Sequence, residues 1–92
     1  YYKFVVGKLD FGEAVLRYPD GTGVKLNWPA AQMPYMAVWS SENGVKGLNH
    51  IAPEPAVSEF DSLAEAYKAG EANCIPPGGA ATWRITLTLL GK

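Results

Sequence analysis

The chain has 92 residues, 48 % hydrophobic and 18 % charged, with eight basic and nine acidic side chains and a net charge of −1. That length bounds it to one domain with one modest core, burying roughly 60–65 % of its unfolded surface. Charge is spread along the chain, which excludes the basic footprint of a nucleic-acid binder, and no apolar run nears membrane-spanning length.

The charged share is below the usual quarter. It points to an apolar piece that packs against something else. Cys74 is the single cysteine, so no internal disulfide and no thiolate metal pattern can form. A buried structural thiol is expected. No metal site and no cofactor are expected, because ligands at useful spacing are absent. An opening on Tyr1, inside an apolar run, leads us to expect that the chain begins within a longer protein.

Tyr2 to Leu9 is rich in aromatic and β-branched residues and reads as a strand. Asp10-Phe11-Gly12 is a turn, and Glu13 to Tyr18 a second short strand. Pro19-Asp20-Gly21-Thr22-Gly23 has the chemistry of a tight turn. Val24, Leu26 and Trp28 then alternate with Lys25 and Asn27, which predicts a half-buried strand hairpinned to the one before. Pro29 to Pro34 is a connecting loop. Tyr35 to Ser40 is continuously apolar and predicts a strand buried on both faces.

Ser41-Glu42-Asn43-Gly44 reads as the next turn. Leu48 to Ala52 is a strand leading to Glu54. Ser62-Leu63-Ala64-Glu65 fits a capping box and Gly70 a helix end, so a short helix is predicted near Ser62 to Ala69. Its inward residues would be Leu63, Ala66 and Tyr67. Ala72 to Ile75 is a brief strand and Pro76-Pro77-Gly78-Gly79 a turn. Trp83, Ile85, Leu87 and Leu89 alternate with Arg84, Thr86 and Thr88, which predicts a strand with one core face. Short strands, turns and one minor helix give an all-β fold, an antiparallel β-sandwich.

Candidate chemistry centres on Glu54. Pro53 has its φ locked, and Pro55 pushes Glu54 into the extended region. Such a stiff mount suits a catalytic base. Equally, it suits a solvated carboxylate in a Pro-rich turn, the commoner fate of a Glu. His50, the only histidine, would share a strand face with Glu54 but lie about 13 Å from it. The two could flank a sugar-sized ligand without touching, or His50 is simply a polar edge residue. Trp28, Tyr35, Trp39 and Trp83 could stack on sugar rings, although strand aromatics are more often core. Trp83 goes with Ile85 and Leu87 in the core. Trp28, at a strand end beside Pro29, is the better candidate for exposure. No nucleophilic triad can be built, and Gly78-Gly79 precedes a strand rather than the helix of a phosphate loop.

Taken in order, Pro34-Tyr35-Met36-Ala37-Val38-Trp39, Ile51-Ala52-Pro53-Glu54-Pro55, Asp61 through Gly70, and Pro77-Gly78-Gly79 with the Trp83-to-Leu89 strand resemble the C-terminal part of the galactose mutarotase-like (aldose 1-epimerase) superfamily. The resemblance covers Pro34 to Leu89, and Tyr2 to Trp28 fits only loosely. It implies part of a large antiparallel sandwich that handles sugars. In that family a Glu takes the proton from the anomeric hydroxyl and a His protonates the ring oxygen. Glu54 matches the base by position. The family's acid and its sugar-holding Arg lie upstream of the matched stretch, so neither carries over to His50, Arg17 or Arg84. The expected ligand is an aldose, contacted by Glu54, Trp28, Trp39 and His50, with no nucleic-acid or membrane partner. Self-association through uncovered sheet faces is also expected. A non-catalytic carbohydrate-binding or structural sandwich is the other class the sequence allows.

Overall fold

A computed structural model describes the backbone from Tyr2 to Lys92, and the side chains from Val5 onward other than Val45. The fold is all-β with one short helix. Its strands are β1 (Tyr2–Val6), β2 (Gly12–Arg17), β3 (Gly23–Trp28), β4 (Tyr35–Val45), β5 (Leu48–Ala56) and β6 (Thr86–Leu90), with α1 (Leu63–Lys68) between β5 and β6. They form two three-stranded antiparallel sheets, ordered β1-β4-β5 and β2-β3-β6.

The β2–β3 hairpin closes as its residues dictate. Asp20 Oδ1 accepts from the Thr22 amide at 2.9 Å and the Thr22 hydroxyl at 2.6 Å. These bonds hold the Asp20 carboxyl below its ordinary value, the Thr22 side chain contributing most. Gly21 takes a φ of 92°, which a residue with a Cβ rarely adopts.

The β4–β5 hairpin corrects the sequence reading. Asn43-Gly44 resembles a hairpin turn, yet β4 runs through it to Val45, and the turn falls on Lys46-Gly47. Lys46 and Gly47 have φ of 53° and 67°, the left-handed pair of a type I′ turn. Asn43, at φ 56°, sits in a bulge between Ser41 and Val45. Its amide donates to Asn49 Oδ1 at 3.0 Å, so the bulge keeps a partner for its freed N–H.

β5 continues through both prolines to Ala56 instead of stopping at Ala52. Pro53 and Pro55 are two apart, so their missing N–H groups fall on the same edge. Among the described residues β5 pairs only with β4, and that edge is its outer one. The ladder then runs through Ala52, Glu54 and Ala56, opposite Trp39, Ala37 and Tyr35.

α1 forms where predicted. Ser62 Oγ accepts from the Glu65 amide at 3.3 Å, and Gly70 ends the helix at φ 74°. Only Ala66 of its expected inward face is buried, however, and Leu63 and Tyr67 are exposed. Ala72 to Ile75 forms no strand, and Cys74 is exposed rather than buried.

The core lies where β3 hands over to β4. Trp28, Ala30, Met33, Tyr35 and Ala37 are buried. The Trp28 indole N–H donates to the Met33 carbonyl at 3.0 Å. Gln32 Nε2 reaches across to the Thr82 carbonyl at 2.7 Å and fastens the segment before β6 to the same loop. The expected core strand behaves otherwise. Trp83, Ile85, Leu87 and Leu89 are exposed at 58 %, 45 %, 68 % and 87 %. With that face uncovered the molecule is elongated, 47 × 28 × 23 Å. Its radius of gyration is 15.4 Å, against about 12 Å for a compact chain of this length.

Candidate functional site

Register decides what shares a face. In an antiparallel pair, directly opposite residues project to the same side. Ala37, Trp39 and Ser41 of β4 stand opposite Glu54, Ala52 and His50 of β5. Trp39, His50 and Glu54 therefore lie on one face, with Trp39 between the other two. The Trp39 and His50 rings are 6.0 Å apart between centroids and inclined at 42°. On the same face Ala37 is buried and Ala52 half-buried. Glu54 is half-buried and His50 exposed. Both residues lie on β5, four positions apart, which is about 13 Å at an ordinary strand rise.

Trp28 does not join them. It belongs to the other sheet and is 5 % exposed, so its expected exposure is corrected. The cause is the loop after it. Met33 folds back so that its carbonyl accepts the indole N–H. Pro29 invites this fold, because its carbonyl accepts from the Gln32 and Met33 amides at 3.0 and 2.9 Å, a tight turn that returns the chain over β3.

Ser41 is 1 % exposed, and its hydroxyl has no hydrogen-bond partner among the described residues. A buried unpaired hydroxyl is a stability cost. Ser41→Ala is therefore expected to leave the thermal midpoint unchanged or higher. A lowered midpoint would mean that the hydroxyl has a partner in solution.

A second constellation was not legible in the sequence. Glu71, just after α1, accepts from three donors. Its Oε1 takes the Ser58 hydroxyl at 2.8 Å and the Glu59 amide at 3.1 Å, and its Oε2 the Tyr35 hydroxyl at 3.3 Å. The Glu59 amide does most to hold the Glu71 carboxyl below its ordinary value, with Ser58 and Tyr35 helping against burial. Tyr35 is pushed the other way, first by burial and then by the negative charge of Glu71 and Glu59. Glu71 forms part of the wall of a cleft of about 760 Å³ with Lys8, Gln32, Tyr35, Asn73 and Thr82. An apolar groove of about 460 Å³ runs nearby, lined by Met33, Pro55, Val57, Ile75, Trp83 and Ile85 among others. Glu54 lines neither; it stands on the Trp39 face of the sheet.

Chemically, the Trp39 face sets a half-buried indole between a half-buried carboxylate and an exposed imidazole. The Glu71 cluster offers an anchor between segments, since all three of its donors are the protein's own. No protein-family model, curated protein or solved structure matches the chain.

Proposed function

We propose that this chain is a carbohydrate-handling segment of the aldose 1-epimerase type, and that an aldose ring lies across Trp39 with its anomeric hydroxyl at Glu54. The observation that carries the reading is the β4–β5 register, which sets Trp39 between His50 and Glu54. Sugar rings present C–H faces that stack on an indole, and their hydroxyls suit a carboxylate and an imidazole.

In this reading Glu54 takes the proton from the anomeric hydroxyl. The freed electron pair forms the carbonyl at C1, the bond from C1 to the ring oxygen breaks, and an acid protonates that oxygen. Rotation about C1–C2 and the reverse steps give the other anomer. His50 is not that acid. It lies beyond hydrogen-bond reach of any group that Glu54 touches on the same ring atom pair, being about 13 Å along β5. The same distance favours a second reading, in which Glu54 only binds hydroxyls and the face does no chemistry.

Titration of the chain with galactose and glucose, followed by NMR, tests the proposal. Shifts are expected at the Trp39 indole and the His50 ring, and their loss in Trp39→Ala. No shift at either ring with sugar in large excess would sink the reading. Polarimetry on freshly dissolved α-galactose separates the two roles. Within these residues equilibration is expected to match buffer, because removing either acid or base usually costs about 10²–10⁴-fold. Faster equilibration, abolished by Glu54→Gln, would show that Glu54 is a working base without His50.

A further inference from the structure

We propose that β6 is a pairing edge, and that a second copy of this chain adds to it antiparallel, joining two β2-β3-β6 sheets into one six-stranded sheet. An open strand edge presents unpaired N–H and C=O groups, and proteins guard such edges with charge, proline or bulges. The four edge strands here are β1, β5, β2 and β6. Three carry such residues in their sequences: β1 has Lys3, β2 has Glu13 and Arg17, and β5 has Pro53 and Pro55, whose missing N–H groups lie along its outer side. β6, Thr86-Leu87-Thr88-Leu89-Leu90, has no charge, no proline and no break in its register with β3.

The sequence of β6 is also self-complementary. A two-fold axis at Leu87 sets Leu87 opposite Leu87, Thr86 opposite Thr88 and Ile85 opposite Leu89. Cross-strand Thr pairs and aliphatic pairs are both favourable, and no like charges meet. Leu87 and Leu89 stand beside Leu26 and Val24 of β3, and those beside Ala14 and Leu16 of β2. One apolar stripe thus continues across the seam. Leu87 and Leu89, 68 % and 87 % exposed, flank the seam, whereas Trp83 belongs to the groove beside Met33 and Pro55. A five-residue edge pairing buries little side-chain area, so the dimer is a weak one.

Sedimentation of the full chain across a concentration series tests this. A species of twice 9.9 kDa is expected at roughly 100 µM and above. Leu87→Lys places two ammonium groups on the axis and should raise the dissociation constant about tenfold or more. Leu87 is 68 % exposed in the single chain, so circular dichroism of that variant should stay unchanged. A monomer at about 1 mM overturns the proposal, as does an open series of larger species, or a dimer indifferent to Leu87→Lys. Cross-linking gives an independent measurement. Directly opposite Cβ atoms lie about 4.5–5.5 Å apart, near disulfide reach. With Cys74→Ser removing the native thiol, Leu87→Cys should oxidise to a covalent dimer much faster than Val15→Cys on β2. Equal rates would place the contact elsewhere.

Discussion

Trp28→Ala should unfold the chain or leave it barely folded, whereas Trp83→Ala should change stability little where the chain is monomeric. Trp28 is 5 % exposed and Trp83 58 %. Truncating a buried aromatic costs about 3–5 kcal/mol, since the transfer term is lost and a cavity remains. The Met33 carbonyl also loses the indole N–H that it accepts. A chain of this size has about 5–10 kcal/mol in all, so one side chain carries a large part of it. The backbone around Trp28 is equally tight. A Cβ on Gly12 would fall on the Trp28 carbonyl oxygen and within 2.8 Å of its indole, so Gly12→Ala should damage the same corner. Urea unfolding followed by far-ultraviolet circular dichroism gives the comparison. Equal midpoint losses for the two tryptophan variants would contradict this placement of the core.

Sequence patterning predicts the reverse assignment for these tryptophans, and the reason is physical. Alternation at Trp83, Ile85, Leu87 and Leu89 correctly marks one face of a strand as apolar. It does not say whether anything in the same chain covers that face. The place of Trp28 beside Pro29 suggests exposure, because a loop there normally leads to solvent. The loop instead turns back, and that depends on a hydrogen bond to Met33 which no local pattern announces.

The same distinction runs through the rest of the fold. Turn chemistry placed the Pro19-to-Gly23 turn and the α1 cap correctly, because both are made by residues within five of each other. It misplaced the β4–β5 turn, because Asn43 tolerates the left-handed region in a bulge as well as in a turn, and the cross-strand Asn49 decides between them. Two prolines read as the end of a strand, but their spacing is compatible with an outer edge. Of the named site residues, Trp39, His50 and Glu54 come together through pairing of β4 with β5. The separation of His50 from Glu54 was legible because they are on one strand. The Glu71 cluster was not, because its donors come from Tyr35, Ser58 and Glu59 on segments that only the fold brings near it.

Glu71 should give the chain a stability step on the acid side. Its folded value lies below the ordinary 4.5, chiefly because the Glu59 amide donates to the charged carboxylate. A group shifted down contributes stability that is complete above its unfolded value and is lost as pH falls through the folded one. The step should therefore begin near 4.5 and deepen below it. Tyr35 acts on the opposite side. Its hydroxyl donates to Glu71 only while neutral, and its folded value lies above the ordinary 10.0. That contribution is complete below 10.0 and is lost as pH rises through the folded value. Between the two limits this cluster adds no pH dependence. The groups that face Glu71 are Tyr35 and Glu59, with Lys8 on the same cleft wall. Asp20 is also shifted down and adds its own acid step, so a single denaturation curve does not isolate Glu71. The difference between the native chain and Glu71→Gln does, since Asp20 contributes equally to both. Urea midpoints measured from about pH 6 to pH 3 should fall more steeply for the native chain, spanning both sides of the ordinary carboxylate value. Amide exchange at Glu59 should rise in Glu71→Gln at neutral pH, because that N–H has lost its charged acceptor. Parallel midpoint curves, with Glu59 exchange unchanged, would show that Glu71 does not hold Tyr35 and the Ser58–Glu59 segment together.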